Sequence, residues 1–98
     1  MRVNGWRTVA QDTWYTLKTN GEFVEFSMFG THTVNISTSW VTALTIANDT
    51  YRPQQPLVGM GYNQTLYQIN TSGEIRIVRV NGSATSTTAA GTYYWKLK

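Results

Sequence analysis

One stretch of the chain limits the fold more than any other. From Phe23 to Ser37 the residues alternate. One parity reads Val24, Phe26, Met28, Gly30, His32, Val34 and Ile36, nearly all apolar. The other reads Phe23, Glu25, Ser27, Phe29, Thr31, Thr33, Asn35 and Ser37, mostly polar. A period of two belongs to a strand with one face turned inward. The alternation keeps its phase through Gly30, so the segment predicts two shorter strands meeting at a bend there, without a one-residue bulge.

Other segments repeat the pattern more briefly. Trp14 to Lys18 puts Tyr15 and Leu17 on one side, which leaves Trp14 outward. Trp40, Leu44 and Ile46 share a parity and predict a core-facing Trp40. Leu57 to Tyr62 places Val58, Met60 and Tyr62 on one side, with Gly59 and Gly61 opposite, where another backbone is expected to come close. Leu66–Asn70 and Glu74–Val80 flank Thr71-Ser72-Gly73, a hairpin loop whose Gly supplies positive φ. The closing segment sets Tyr93, Trp95 and Leu97 against Tyr94, Lys96 and Lys98. Asn4-Gly5, Asn20-Gly21 and Asn81-Gly82 mark turns. Arg52-Pro53 and Pro56 fall between strands, where a missing N–H does least harm. Residues 82–91 are small and repetitive and read as a long surface loop or a ragged edge.

No stretch has a helical period, and the composition agrees. Thr and aromatic residues are abundant, and both suit a pleated, half-buried surface. At 98 residues the chain supports one domain with one two-layer core. We therefore expect an all-β domain spanning 1–98, a small antiparallel β-sandwich or jelly-roll-like barrel of seven or eight strands. Residues 1–5 fit the end of an upstream stem or linker.

Several function classes drop out. Cysteine is absent, which excludes thiol catalysis and thiolate metal sites. No apolar run approaches the roughly 20 residues of a membrane-spanning helix. The opening residues lack the apolar core of a signal peptide. The net charge of +3 comes from basic residues scattered along the chain, not concentrated as nucleic-acid binders concentrate them. A weak positive field suits an acidic or phosphate-bearing polymer instead. Asn-x-Ser/Thr occurs at Asn35, Asn48, Asn63, Asn70 and Asn81. An Asn- and Thr-rich β surface supplies such tripeptides without selection for glycans.

Catalysis has little to work with. There is one His, and no Gly-x-Ser-x-Gly elbow, phosphate-cradling loop or His-Glu-x-x-His appears. Glu22 and Glu25 project oppositely from an extended chain, so only a carboxylate pair from distant segments is left open. The expectation is a non-enzymatic domain without cofactor or metal. Four Trp and six Tyr in so short a chain suggest saccharide recognition. Sugar C–H faces stack on aromatic rings, and their hydroxyls pair with planar polar groups. Trp14 and Tyr94 fall on outward parities, and Trp6 is assigned to neither face. His32, on the inward parity, is either a packed His with a backbone partner or a donor to a ligand hydroxyl.

In order, Gly5-Trp6, Trp14-Tyr15-Thr16-Leu17, Val34-Asn35-Ile36-Ser37 and Trp40-Val41-Thr42-Ala43-Leu44 precede Tyr51-Arg52-Pro53. Thr71-Ser72-Gly73-Glu74-Ile75-Arg76-Ile77 and Tyr93-Tyr94-Trp95-Lys96-Leu97 follow. Over residues 5–98 this series resembles the C-terminal head domains of tail-tip receptor-binding proteins of phages that infect Gram-positive bacteria, lactococcal phages among them. Ala47-Asn48-Asp49-Thr50 stands where that family often shows Leu-Pro-x-Gly. The resemblance implies a homotrimer at the distal tip of the virion tail, joined through an upstream stem to the baseplate proteins. It further implies host adhesion through cell-wall polysaccharide, often phosphorylated, with weak sites strengthened by multivalency.

The family fixes no motif for the sugar, so candidate contacts rest on chemistry. His32 would donate to a hydroxyl or phosphate, and Arg52 or Arg76 would grip a phosphate through its planar fork. Trp14 would give a stacking face, while Asp12 and Asn63 would bond ring hydroxyls. Tyr51 and Pro53 are expected to be structural. A structural cap of the tail fibre without sugar binding and a secreted carbohydrate-binding module are the competing readings.

Overall fold

The computed structural model describes residues 5–61 and 64–98. The chain forms strands β1 (Arg7–Asp12), β2 (Tyr15–Thr19), β3 (Phe23–Ile36), β4 (Val41–Thr45), β5 (Leu57–Met60), β6 (Thr65–Ile69), β7 (Glu74–Arg79) and β8 (Ala84–Lys96). They pack as two four-stranded sheets, ordered β1-β2-β3-β8 and β4-β7-β6-β5, and every described pairing is antiparallel. The expected all-β sandwich is the fold.

The alternation read in β3 holds over its whole length. Val24 and Phe26 are fully buried, and Met28, His32 and Ile36 nearly so. Val24, Phe26, Met28 and Ile36 share one core cluster with Tyr67, Ile69, Ile75 and Ile77 of the second sheet. Burial of each such side chain contributes about 1.5–3 kcal/mol. The 14 residues of β3, at about 3.4 Å each, span roughly 48 Å. That strand and its partner β8 set the 52 Å long axis of the molecule.

The turns follow from local chemistry. Asn20 Oδ1 accepts from the Glu22 and Phe23 amides, both at 2.9 Å, and closes the β2–β3 reversal. Gly73, at φ +87°, lets its amide reach Asn70 O at 2.9 Å between β6 and β7. Tyr51-Arg52-Pro53 is tied into the fold at each residue. Tyr51 O accepts from the buried Trp95 indole at 2.8 Å, Arg52 Nε donates to Ile46 O at 2.8 Å, and Pro53 is buried.

Four expectations need correction. β3 is not divided at Gly30; the register passes through it opposite Ala89 without a shift. Of the two readings of 82–91 the loop fails and the edge holds: residues 84–91 are the first half of the edge strand β8, paired with the far half of β3. Small residues are needed there because Ala89 and Thr87 lie buried on the inner face. In β5 the glycine side is the inner one, with Val58 and Met60 exposed. A β-carbon at Gly59 would overlap the Tyr93 ring, and one at Gly61 would come within 2.6 Å of the Tyr67 ring, so these glycines admit aromatic side chains, not a backbone. Tyr62 lies outside the described residues. Trp40 is not core: it precedes β4 and is 37% exposed. A bulge between Thr42 and Leu44 breaks the parity that linked it to Leu44.

Candidate functional site

Three of the predicted contact residues converge where β1 turns into β2. Asp12 pairs with Tyr15 across a two-residue reversal, and Asp12 Oδ1 accepts from the Thr13 amide at 2.6 Å. Trp14 therefore sits in the turn itself, where strand parity does not apply. Its carbonyl accepts from the Phe29 amide at 2.8 Å, and its ring folds over the sheet edge onto His32. The two rings are nearly parallel, with centroids 3.9 Å apart and planes 10° apart. Trp14 also leans on Tyr15.

This cluster is a packed corner, not an open platform. Trp14 is buried at 7% exposure, which corrects its outward assignment. His32 is buried as well, and its Nε2 has no hydrogen-bond partner. Burial lowers the imidazole pKa, and the charge of Asp12 opposes that shift without reversing it. The ring is thus kept neutral against Trp14.

The remaining candidates lie elsewhere. Arg52 spends its donors on the Ile46 and Ala47 carbonyls and has Asp49 at 3.8 Å, so its fork is committed within the fold. Arg76 lies on the outer face of the second sheet, its guanidinium 5.9 Å from the Trp40 ring centroid. Nearby, Thr42 and Ser72 hydroxyls donate to Glu74 and hold its carboxyl below the ordinary range. Asn63 lies outside the described residues.

The outer face of the first sheet is the more open polar and aromatic surface. Here β3 presents Phe23, Glu25, Ser27, Phe29 and Thr31 opposite Lys96, Tyr94, Thr92, Ala90 and Thr88 of β8. Trp6 and Tyr94 meet edge to face, centroids 6.1 Å apart, and stay 43% and 52% exposed. The Tyr94 hydroxyl donates to Glu25 Oε2 at 2.7 Å, and this bond, ahead of desolvation, raises the phenol pKa. Ser27 and Thr92 share a hydroxyl contact at 3.1 Å, as do Thr31 and Thr88. Phe23 and Phe29 stand exposed along the row, on either side of Glu25 and Ser27.

Residues two apart on a strand are about 6.8 Å apart and neighbouring strands about 4.8 Å. The face is thus a pleated grid of rings and hydroxyls with a carboxylate at its aromatic end. Such a grid can stack a saccharide C–H face and bond its hydroxyls. Tyr94 was legible from its outward parity. Trp6 was not, because it precedes β1 and has no alternating neighbours to phase it. Among the described residues, no three His, Cys, Asp or Glu side chains gather as a metal site. No protein-family model matches the chain, and neither does any curated protein sequence.

Proposed function

We propose that the chain is a non-enzymatic saccharide-binding head domain acting as a homotrimer. Its setting is the one the sequence resemblance implies, the distal tail tip of a phage of Gram-positive bacteria. Its target is host cell-wall polysaccharide, and an upstream stem ties it to the baseplate. The observation that carries the binding reading is the exposed Trp6–Tyr94 pair beside Glu25 on a hydroxyl-lined sheet face. Exposed aromatic anchors of this kind concentrate in recognition surfaces. The +3 charge favours a phosphorylated glycan. Self-association is supported by the second sheet, where Val58 and Met60 of β5 are 65% and 77% exposed, and by Val80 just after β7, 64% exposed. Three copies would make weak sites additive in avidity.

The test is binding to purified wall polysaccharide and to a glycan array. Trp6→Ala and Tyr94→Ala are each expected to weaken binding about tenfold while the fold is kept. Wild-type protein that retains no glycan, or variants that bind as wild type does, would overturn the reading.

A further inference from the structure

The sandwich is open along one side, between its edge strands β1 and β4. A cavity of 280 Å³ occupies this opening. Its floor is apolar: Val9, Leu17, Phe26, Leu44 and Ile46. Both bordering strands carry a bulge at this level, between Thr8 and Ala10 in β1 and between Thr42 and Leu44 in β4. A bulge adds a residue to one strand, bends it and re-aims its side chains. In β1 the result is that successive residues, Val9 and Ala10, both line the space.

The cleft is partly open to solvent, and its 280 Å³ exceeds the gaps of a close-packed interior. An apolar cavity of about 150 Å³ stays dry and accepts benzene. One of 280 Å³ holds a single ring or a short alkyl chain, and is too small for a full lipid tail.

The lining also carries hydrogen-bond donors. Tyr51 lines the cavity, and its hydroxyl accepts from Arg7 Nη2 at 3.2 Å, which leaves the phenol proton free to donate. Asn48 Oδ1 is taken by the Thr50 amide at 3.0 Å, so the Asn48 side chain offers its NH₂. Arg7 has no carboxylate partner among the described residues. The nearby acid, Asp49, is engaged by Lys98 at 3.1 Å and by Arg52 at 3.8 Å. Tyr51 and Asn48 thus bring donors to an apolar cleft, and the cationic Arg7 lies beside them, bonded to the Tyr51 hydroxyl.

We propose that this cleft binds a short amphiphile: an alkyl chain or single ring in the cavity, with an acidic head at Arg7, Tyr51 and Asn48. It is a second site, on the opposite side of the first sheet from the Trp6–Tyr94 face, and it stands whether or not that face binds sugar.

Sodium octanoate is the probe, titrated below its micelle-forming range into isotope-labelled protein, with octanol as the neutral control. Saturable shifts and intermolecular NOEs to the Leu17, Leu44 and Ile46 methyls are expected. Arg7→Gln should weaken octanoate about fivefold and leave octanol unchanged. Ala10→Leu, which fills the cavity, should weaken both about tenfold. If Ala10→Leu fails to fold, the NOEs to wild-type protein decide. Absence of saturable binding, or NOEs only to the outer faces, would overturn the proposal. Octanol binding as tightly as octanoate would overturn the assignment of an acidic head.

Discussion

Trp14 and His32 stack at 3.9 Å, and the imidazole is buried with an unpartnered Nε2. Charging it would place a cation where burial lowers its pKa from the ordinary 6.5. The unfolded chain takes up that proton first, so between about pH 6.5 and the lower folded value it binds more protons than the native state. Stability from this group is complete above that window and is lost as pH falls through it. Urea midpoints should therefore decline on acidification from neutral pH, and His32→Leu should flatten the decline. Gly73 gives a second residue-scale prediction. Both Gly21 and Gly73 have positive φ, at +92° and +87°. A β-carbon at Gly21 meets nothing within 4 Å, whereas one at Gly73 comes within 2.6 Å of Ile46 O, a backbone atom. Gly21→Ala should cost about 1 kcal/mol, and Gly73→Ala about 3 kcal/mol or more, by denaturant titration.

At the scale of elements, β8 separates the present structure from the loop that composition suggests. It lies at the edge of its sheet and, among the described residues, pairs only with β3. Its amides should therefore show alternating hydrogen-exchange protection from Ala84 to Lys96, slow where they face β3 and fast where they face outward. Uniformly fast exchange over 84–91 would contradict the strand. Period two was readable wherever one face is apolar, as in β3 and in Tyr93–Leu97. It failed in 84–91, where small residues fill positions opposite Gly30 and His32 and carry no apolar contrast. In β5 it left the inner side unassigned, because Gly59 faces inward to make room for Tyr93, a residue 34 positions later. Trp14 and Trp40 were misplaced for a related reason: one sits in a turn and the other lies beyond a bulge.

At the scale of the whole molecule, the surface of 5656 Å² matches the roughly 5,600 Å² expected for a chain of this mass. The amount of surface is ordinary; its occupants at Val58, Met60 and Val80 are not. If that face joins copies, light scattering should give three times the mass of one chain. Met60→Lys, at a 77% exposed position, should then reduce it to one chain without loss of the β spectrum. A wild-type particle of single-chain mass in dilute solution would contradict the trimer. The strand content, the turn at Asn20-Gly21, the hairpin at Gly73 and the buried face of β3 were determined by the sequence alone, because each depends on residues a few positions apart. Tertiary structure decided that Trp14 closes on His32, that Arg52 binds the backbone at Ile46 and Ala47, and that Trp6 meets Tyr94. It also decided that a cleft opens between β1 and β4. These depend on which strands become neighbours, and that choice minimises exposed apolar area over the entire chain, a quantity no local window contains.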